Sequence, residues 1–384
     1  MIKKVLILFI LIPIIFSCTS KNKKEIKPPE YLIKGKITGF DDSTKVFLLD
    51  INLDKDIDST YIINNEFSFK GRFDNDSVPE QIRLKLKDAT DYYYTNLLFK
   101  NGDTVTITGD KKDFPYYLNK SGAKIQEEMN ILDIKTRDLD SEYDKLVKTY
   151  LSMNKTGKEN KGDSIKKRLN EINNILSQIT KEYIIDNPNT FNAIIALGYN
   201  KKMFSKDTLK KILENIDPVI RKSKYGKALE IYAYSKIVDE NEKYYNFTAQ
   251  DQRGNKVNFA DLFGDGKYIL LDFTATYCGP CVQAVKELKE IHNKYSGKIK
   301  IVSFCVDAKK EVWNKGLKRD KVNWISLWDG KGKFSNTYIR YGIQGVPTFF
   351  LINPDGIVIK KQSGYGENVL TKILKENGVI NNNN

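Results

Sequence analysis

Four consecutive residues, Cys278-Gly279-Pro280-Cys281, are the part of this chain best equipped for covalent chemistry. An apolar, β-favouring run at residues 268–274 leads into them and carries a single acid, Asp272. An amphipathic helical pattern follows at once, with Val285, Leu288, Ile291 and Tyr295 at three- and four-residue spacing. Strand, short loop and a Cys-x-x-Cys pair at a helix start make a thiol–disulfide redox arrangement. At the helix N-terminus, unpaired N–H groups and the macrodipole favour an anion, so the Cys278 thiolate forms below the free-thiol pKa of ~8.5. Pro280 falls in the first turn, where its missing N–H costs nothing. Cys281, one turn further in, is set to attack a mixed disulfide formed at Cys278.

The other two of the four cysteines have different readings. The chain starts with Lys3 and Lys4, then an apolar run at residues 5–16 that is too short for a membrane span of ~20 residues and suits an export signal. The run ends in Ile15-Phe16-Ser17-Cys18, which resembles the lipobox of bacterial lipoproteins, where the signal is cut before a cysteine that carries the lipid. The expectation is a signal peptide over 1–17, lipidation at Cys18 and an extracytoplasmic chain held on a bacterial membrane, facing the periplasm. Cys305 lies in a β-favouring run at residues 299–307 and reads as a small core residue with an inert thiol. One spare pair of cysteines in an oxidising compartment points to redox chemistry rather than to a disulfide framework.

Composition narrows the function further. Net charge is +14, and the basic residues are mostly Lys spread along the whole chain, which reads as a solvated surface and not as a nucleic-acid face. The single histidine, His292, falls one position off the apolar stripe of its helix and reads as a solvated residue. No second Cys or His pair accompanies Cys278 and Cys281, so four zinc ligands are not available and no metal or cofactor is expected.

The elements around the site are read from periodicity. Residues 18–30 are polar and Lys-rich with Pro28-Pro29, a tether. Over 31–121 short strand patterns alternate with turn signals, among them Asn64-Asn65 between residues 60–63 and 66–69, and Asn101-Gly102-Asp103. This predicts a small antiparallel β-sandwich-like domain. Over 122–243 the pattern is helical: Ile125, Met129, Leu132, Leu139, Tyr143, Leu146 and Tyr150 hold a heptad register broken at Thr136, and Ile165 to Tyr183 repeat it beyond a Gly- and Lys-rich loop at 156–163. An α-helical hairpin with shorter helices after it is expected. Strand and helix patterns alternate over 244–378, with hairpins around Arg253-Gly254 and Asn353-Pro-Asp-Gly356, and the Asn-rich end at 379–384 reads as a disordered tail.

The last 140 residues or so resemble the thioredoxin superfamily, specifically the TlpA/ResA-like membrane-associated thiol–disulfide oxidoreductases. The resemblance rests on the run from Asp272 to Cys281 and on Gly345-Val346-Pro347-Thr348-Phe349-Phe350. The 31–121 region resembles the small β-domain found N-terminal to such domains in lipoproteins. The resemblance implies a C-terminal α/β thioredoxin fold in a multi-domain chain. It implies that Cys278 is the nucleophile, Cys281 the resolving cysteine, and the two together the redox-active disulfide. Asp272 matches the family's buried acid, which exchanges a proton with Cys281. Pro347 matches the family's cis-proline, which turns the Val346 backbone toward a substrate's extended chain. Tyr277 stands where the family usually has Trp, at the substrate-binding surface. Gly279-Pro280 is the thioredoxin-type dipeptide, associated with potentials near ~−270 mV rather than ~−120 mV, and so with reduction of protein disulfides. Disulfide substrates and a thiol protein that recharges the site are the implied partners. Two other classes are open to a chain with such a domain: a peroxiredoxin-like enzyme, against which Leu271 and Ala275 stand where that signature needs Pro and Thr/Ser, and a non-enzymatic binding lipoprotein, against which the intact cysteine pair counts.

Overall fold

The computed structural model describes residues 28–88 and 91–381. The export signal, Cys18 and most of the tether lie outside the described residues. Among the described residues no helix is long and apolar enough to cross a membrane.

The β-rich region consists of β1 (Tyr31–Thr38), β2 (Lys45–Asp50), β3 (Lys55–Tyr61), β4 (Glu66–Gly71), β5 (Glu80–Lys87), β6 (Tyr92–Phe99), β7 (Thr104–Asp110) and β8 (Asn119–Ser121). They form two four-stranded sheets, ordered β4-β1-β7-β8 and β3-β2-β5-β6. Alternate residues point inward, so Ile33, Ile37, Val105 and Ile107 of one sheet share a core with Val46, Leu48, Ile82 and Leu84 of the other. The sandwich departs from the all-antiparallel expectation at one pairing, because β1 and β7 run parallel. They are far apart in sequence and the second sheet is the crossover between them. The turn at Asn64-Asn65 is present, with φ of 53° and 64°. It is a corner rather than a closed hairpin: after a single Ile63–Glu66 bridge, β3 continues with β2 and β4 with β1. Ile62 and Phe67 are both buried in the shared core, which pulls the two arms into opposite sheets.

Helices α1 (Lys124–Ser152) and α2 (Lys155–Asp186) form the expected hairpin, clasped by Arg168 and Glu142 (2.7 Å). The loop predicted at 156–163 is absent, since α2 starts at Lys155 and only two residues connect the helices. Lys and Glu around Gly162 are good helix formers, and Gly162 lets the Tyr150 ring approach within 3.3 Å of where a Cβ would sit. Four shorter helices follow: α3 (Phe191–Asn200), α4 (Lys206–Asn215), α5 (Pro218–Lys222) and α6 (Lys224–Tyr234). Pro218 does not merely break a helix; it starts α5 behind the Asp217 cap.

The C-terminal region is an α/β unit. Its elements are β9 (Thr248–Asp251), β10 (Lys256–Asn258), β11 (Tyr268–Thr274), α7 (Gly279–Tyr295), β12 (Ile299–Cys305), α8 (Lys310–Asp320), β13 (Ile325–Trp328), α9 (Asn336–Arg340), β14 (Thr348–Ile352), β15 (Val358–Ser363) and α10 (Val369–Glu376). They build a seven-stranded mixed sheet in the order β10-β9-β13-β12-β11-β14-β15. β11 lies inside it, parallel to β12 and antiparallel to β14. One face of β11 packs Leu270 under Ala284, Leu288 and Ile291 of α7 and Leu374 of α10. The other packs Leu271 and Phe273 with Phe304, Phe350 and Tyr341. This is a thioredoxin-like α/β domain. The expected disordered tail fails at its start, because Val379 and Ile380 are buried against α7 and α10; both are apolar and reach the sheet face. Residues 382–384 lie outside the described residues.

Candidate active site

Strand β11 delivers the site. Its buried run ends at Phe273 and the strand at Thr274, and residues 275–277 turn the chain into α7. Cys278 caps that helix: its Sγ accepts the Cys281 backbone N–H at 3.1 Å, and its own N–H donates to the Ala275 carbonyl at 3.2 Å. Pro280 occupies the first turn, which holds no acidic residue, so the positive end of the helix faces Cys278 uncompensated. Cys278 and Cys281 form a disulfide with an S–S distance of 2.04 Å. Both are nearly buried, at 6% and 3% exposed.

Across the site, the Val346–Pro347 peptide bond is cis. The Val346 carbonyl oxygen lies 3.4 Å from Cys278 Sγ. Thr348 holds this loop by donating its hydroxyl to the Gly345 carbonyl (2.7 Å), and Gly364 N–H donates to the Pro347 carbonyl (2.8 Å). Tyr277 is 49% exposed beside the disulfide. Its hydroxyl is nonetheless pushed well above the usual phenol range, first by desolvation and then by the carboxylate of Asp54. Asp54 belongs to the turn between β2 and β3 of the β-rich region.

Asp272 lies beneath, wholly enclosed on β11. Burial pushes its carboxyl up to about 7; the hydroxyl of Ser303, donating at 3.0 Å, opposes the shift, and Asp320 adds to it. The Ser303 hydroxyl in turn accepts from the Trp324 indole N–H at 2.9 Å. A cavity of about 40 Å³ adjoins Asp272, lined also by Thr274, Ala275, Ser303, Asp320 and Trp324. It is large enough for a water molecule.

Sequence reasoning missed what holds the loop in place. Asp307, 4% exposed, accepts the Thr276 backbone N–H (3.1 Å) and its hydroxyl (2.5 Å). Arg319 donates to the Thr276 carbonyl at 2.6 Å, and the Thr276 hydroxyl also meets the Val312 carbonyl at 3.1 Å. Gly316 makes room for this, since a Cβ there would sit 2.5 Å from Thr276 Oγ1. The available signal was an acid at the carboxyl end of a strand parallel to β11, one residue past the apolar run. Cys305 is buried, its thiol donating to Asp307 at 3.0 Å, and burial followed by Asp307 holds that thiol well above its ordinary range. His292 corrects the expectation of a solvated residue: it is half-buried, with its ring 5.7 Å from that of Trp324. The flat indole covers the helix just beside the apolar stripe. No group of three or more metal-ligating side chains occurs among the described residues.

Two parts of the chain are similar to known families. A family model described as thioredoxin-like matches residues 265–358, and one described as a domain of unknown function (DUF4369) matches residues 31–129. Thiol-disulfide oxidoreductase ResA of Bacillus subtilis is 30% identical over 138 residues, which cover 35% of this chain and 73% of that protein. ResA of Bacillus thuringiensis is 30% identical over 120 residues, covering 31% of this chain and 66% of that protein. Among solved structures, a putative thiol:disulfide interchange protein DsbE from Chlorobium tepidum is 27% identical, covering 37% of this chain and 99% of that one, with a TM-score of 0.34. The chain belongs to the ResA-like thiol–disulfide oxidoreductases of the thioredoxin superfamily. Its remaining two-thirds, the β-rich region and the helices, lie outside that relationship.

Proposed function

We propose that Cys278 and Cys281 are the working couple of this enzyme and that it reduces protein disulfides outside the cytoplasm, held on a membrane through lipid at Cys18. In the reduced enzyme the Cys278 thiolate attacks one sulfur of a substrate disulfide, forming a mixed disulfide and expelling one substrate thiolate. Cys281 then attacks Cys278 Sγ, which re-forms the Cys278–Cys281 disulfide and releases the second substrate thiol. Two electrons pass to the substrate, and a thiol protein, itself oxidised to a disulfide, supplies two more that reduce the Cys278–Cys281 couple again. Asp272 accepts the proton that Cys281 loses, and the Val346 backbone and the Tyr277 ring receive the substrate chain.

The observation that carries this reading is the position of Cys278 Sγ, between the Cys281 N–H at 3.1 Å and the Val346 carbonyl at 3.4 Å. The N–H and the helix end stabilise a thiolate, and a carbonyl edge beside it offers an extended chain a hydrogen-bonding partner. Asp272, raised to about 7, is suited to exchange a proton near neutral pH. Gly279-Pro280 favours the reducing direction. Turbidimetric insulin reduction with dithiothreitol as donor tests the reading: Cys278→Ser is expected to bring the rate down to that of dithiothreitol alone, and undiminished catalysis by that variant would reject Cys278 as the nucleophile.

A further inference from the structure

A second concavity lies at the junction of all three parts of the chain, with Ile343 and Gln344 of the segment leading to Val346 in its wall. It has a volume of about 190 Å³. The β-rich region contributes Asn52 and Gln81, the helices contribute Ile195, Gly198, Tyr225 and Leu229, and the thioredoxin-like domain contributes Phe334, Tyr338 and Ile343. Its walls are tied together across the parts. Tyr225 hydroxyl donates to the Pro79 carbonyl (3.1 Å) and receives Asn52 Nδ2 (3.3 Å), the Tyr199 hydroxyl donates to Gln81 (3.3 Å), and Lys202 Nζ donates to Gln344 (3.0 Å). Tyr225 and Phe334 meet edge to face at 5.5 Å between ring centroids.

Two features give this cavity a role. The first is position. Ile343 and Gln344 form part of its wall, and Val346, whose carbonyl faces Cys278 Sγ, follows within three residues. That separation spans at most about 10 Å of chain, the reach of two to three residues of an extended peptide laid along the Val346 backbone. The second is chemistry. The lining is largely aromatic and aliphatic, and a cavity of about 150 Å³ so lined already holds a benzene ring. At the edge, Lys201 rests on the Gly198 carbonyl (3.1 Å) and the Tyr232 ring (5.3 Å), neither of which carries a full negative charge. Burial and then Lys202 lower its pKa, so a carboxylate arriving there would relieve an uncompensated cation.

We infer that this cavity is a specificity pocket for the polypeptide substrate, taking an aromatic side chain two or three residues from the cysteine that pairs with Cys278, with an acidic neighbour over Lys201. The inference rests on Cys278 being the thiol that meets substrate. It assigns the helical and β-rich regions a part in choosing substrates, since two of the three walls come from them.

Synthetic peptides with one cysteine, activated as the mixed disulfide with thionitrobenzoate, provide the test. In the reduced Cys281→Ala protein the Cys278 thiolate attacks the peptide sulfur, a Cys278–peptide disulfide forms, and thionitrobenzoate leaves as the coloured thiolate. Rates are compared for peptides with Phe-Asp and with Ala-Asn at the second and third positions from cysteine. The Phe-Asp peptide is expected to react about tenfold faster, equivalent to about 1.4 kcal/mol. Gly198 offers a way to fill the cavity, because a Cβ there meets nothing within 4 Å. Gly198→Leu is expected to bring the ratio of the two rates to near one, and Ala228→Leu, from the opposite helix, to do the same. A ratio near one in the Cys281→Ala protein with native Gly198, or a tenfold ratio that persists in both filled variants, overturns the pocket. Failure of Cys278 to react with either peptide would instead overturn the redox reading beneath it.

Discussion

The Asp307 carboxylate receives both the backbone N–H and the hydroxyl of Thr276, at 3.1 and 2.5 Å. These bonds tie the end of β12 to the loop that delivers Cys278. Removing the carboxylate leaves a part-buried N–H and hydroxyl without their acceptor, a loss of roughly 1–3 kcal/mol. Asp307→Ala is expected to lower stability by that amount in urea unfolding and to slow insulin reduction, with Asp307→Asn intermediate because its amide oxygen can still accept one bond.

Gly316 tests the same loop from the other side. A methyl group there would lie 2.5 Å from Thr276 Oγ1 and 3.4 Å from its Cβ. Overpacking of this kind costs typically 1–3 kcal/mol. Gly316→Ala should therefore reduce stability within that range although alanine is the better helix former, and a thermal melt showing stabilisation would contradict the contact.

Asp272 has a pH signature with a definite sign. Its folded pKa, about 7, lies above the unfolded carboxylate range. Between about pH 4 and pH 7 the folded state therefore holds a proton that the unfolded state has lost, and stability falls as pH rises through this window. Asp272→Asn is expected to remove that decline, making the variant more stable than the parent at pH 8 by up to about 4 kcal/mol, with the two converging near pH 4. Urea midpoints across pH 4–8 on the oxidised protein measure it. The same variant is expected to slow release of substrate from the Cys278 mixed disulfide by about 10²–10⁴-fold, the usual contribution of a positioned general base.

The proposed anchor has its own readout. Cys18→Ser, expressed as the full chain in a Gram-negative host, should leave the membrane pellet for the soluble fraction and lose labelling by an alkyne-tagged palmitate analogue. Unchanged pelleting and labelling would rule out lipid at Cys18.

The thioredoxin-like domain was legible because its chemistry and its strands announce themselves locally. Asp272, Cys278, Cys281 and Pro347 each sit beside an apolar run with a clear period, and the sheet brings those runs together as β11 and β14. The pieces that were not legible depend on tertiary contacts. Strand β13 is four residues long between Trp324 and Asp329, too short to show a period, yet it completes the sheet beside β12. Asp307 reads as one more polar residue until the fold sets it under Thr276. The split corner at Asn64-Asn65 obeys its turn chemistry, but which sheet each arm joins is decided by burial of Ile62 and Phe67. Helix α2 runs through a Gly- and Lys-rich stretch whose Lys and Glu residues favour helix, and the close approach of the Tyr150 ring to Gly162 within it has no mark in the local pattern. The cavity shared by the three regions was least visible of all, since Asn52, Gly198 and Ile343 come from distant parts of the chain.

The central claim is that Cys278 is the thiol that meets substrate and Cys281 the one that resolves. The most direct measurement is trapping: reduced Cys281→Ala protein is mixed with insulin, quenched with acid, and mapped by mass spectrometry without reduction. The account predicts an insulin chain joined to Cys278 through a disulfide that dithiothreitol releases, with Cys305 unmodified. An adduct on Cys305, or no adduct at Cys278 while the parent protein reduces insulin, would contradict it.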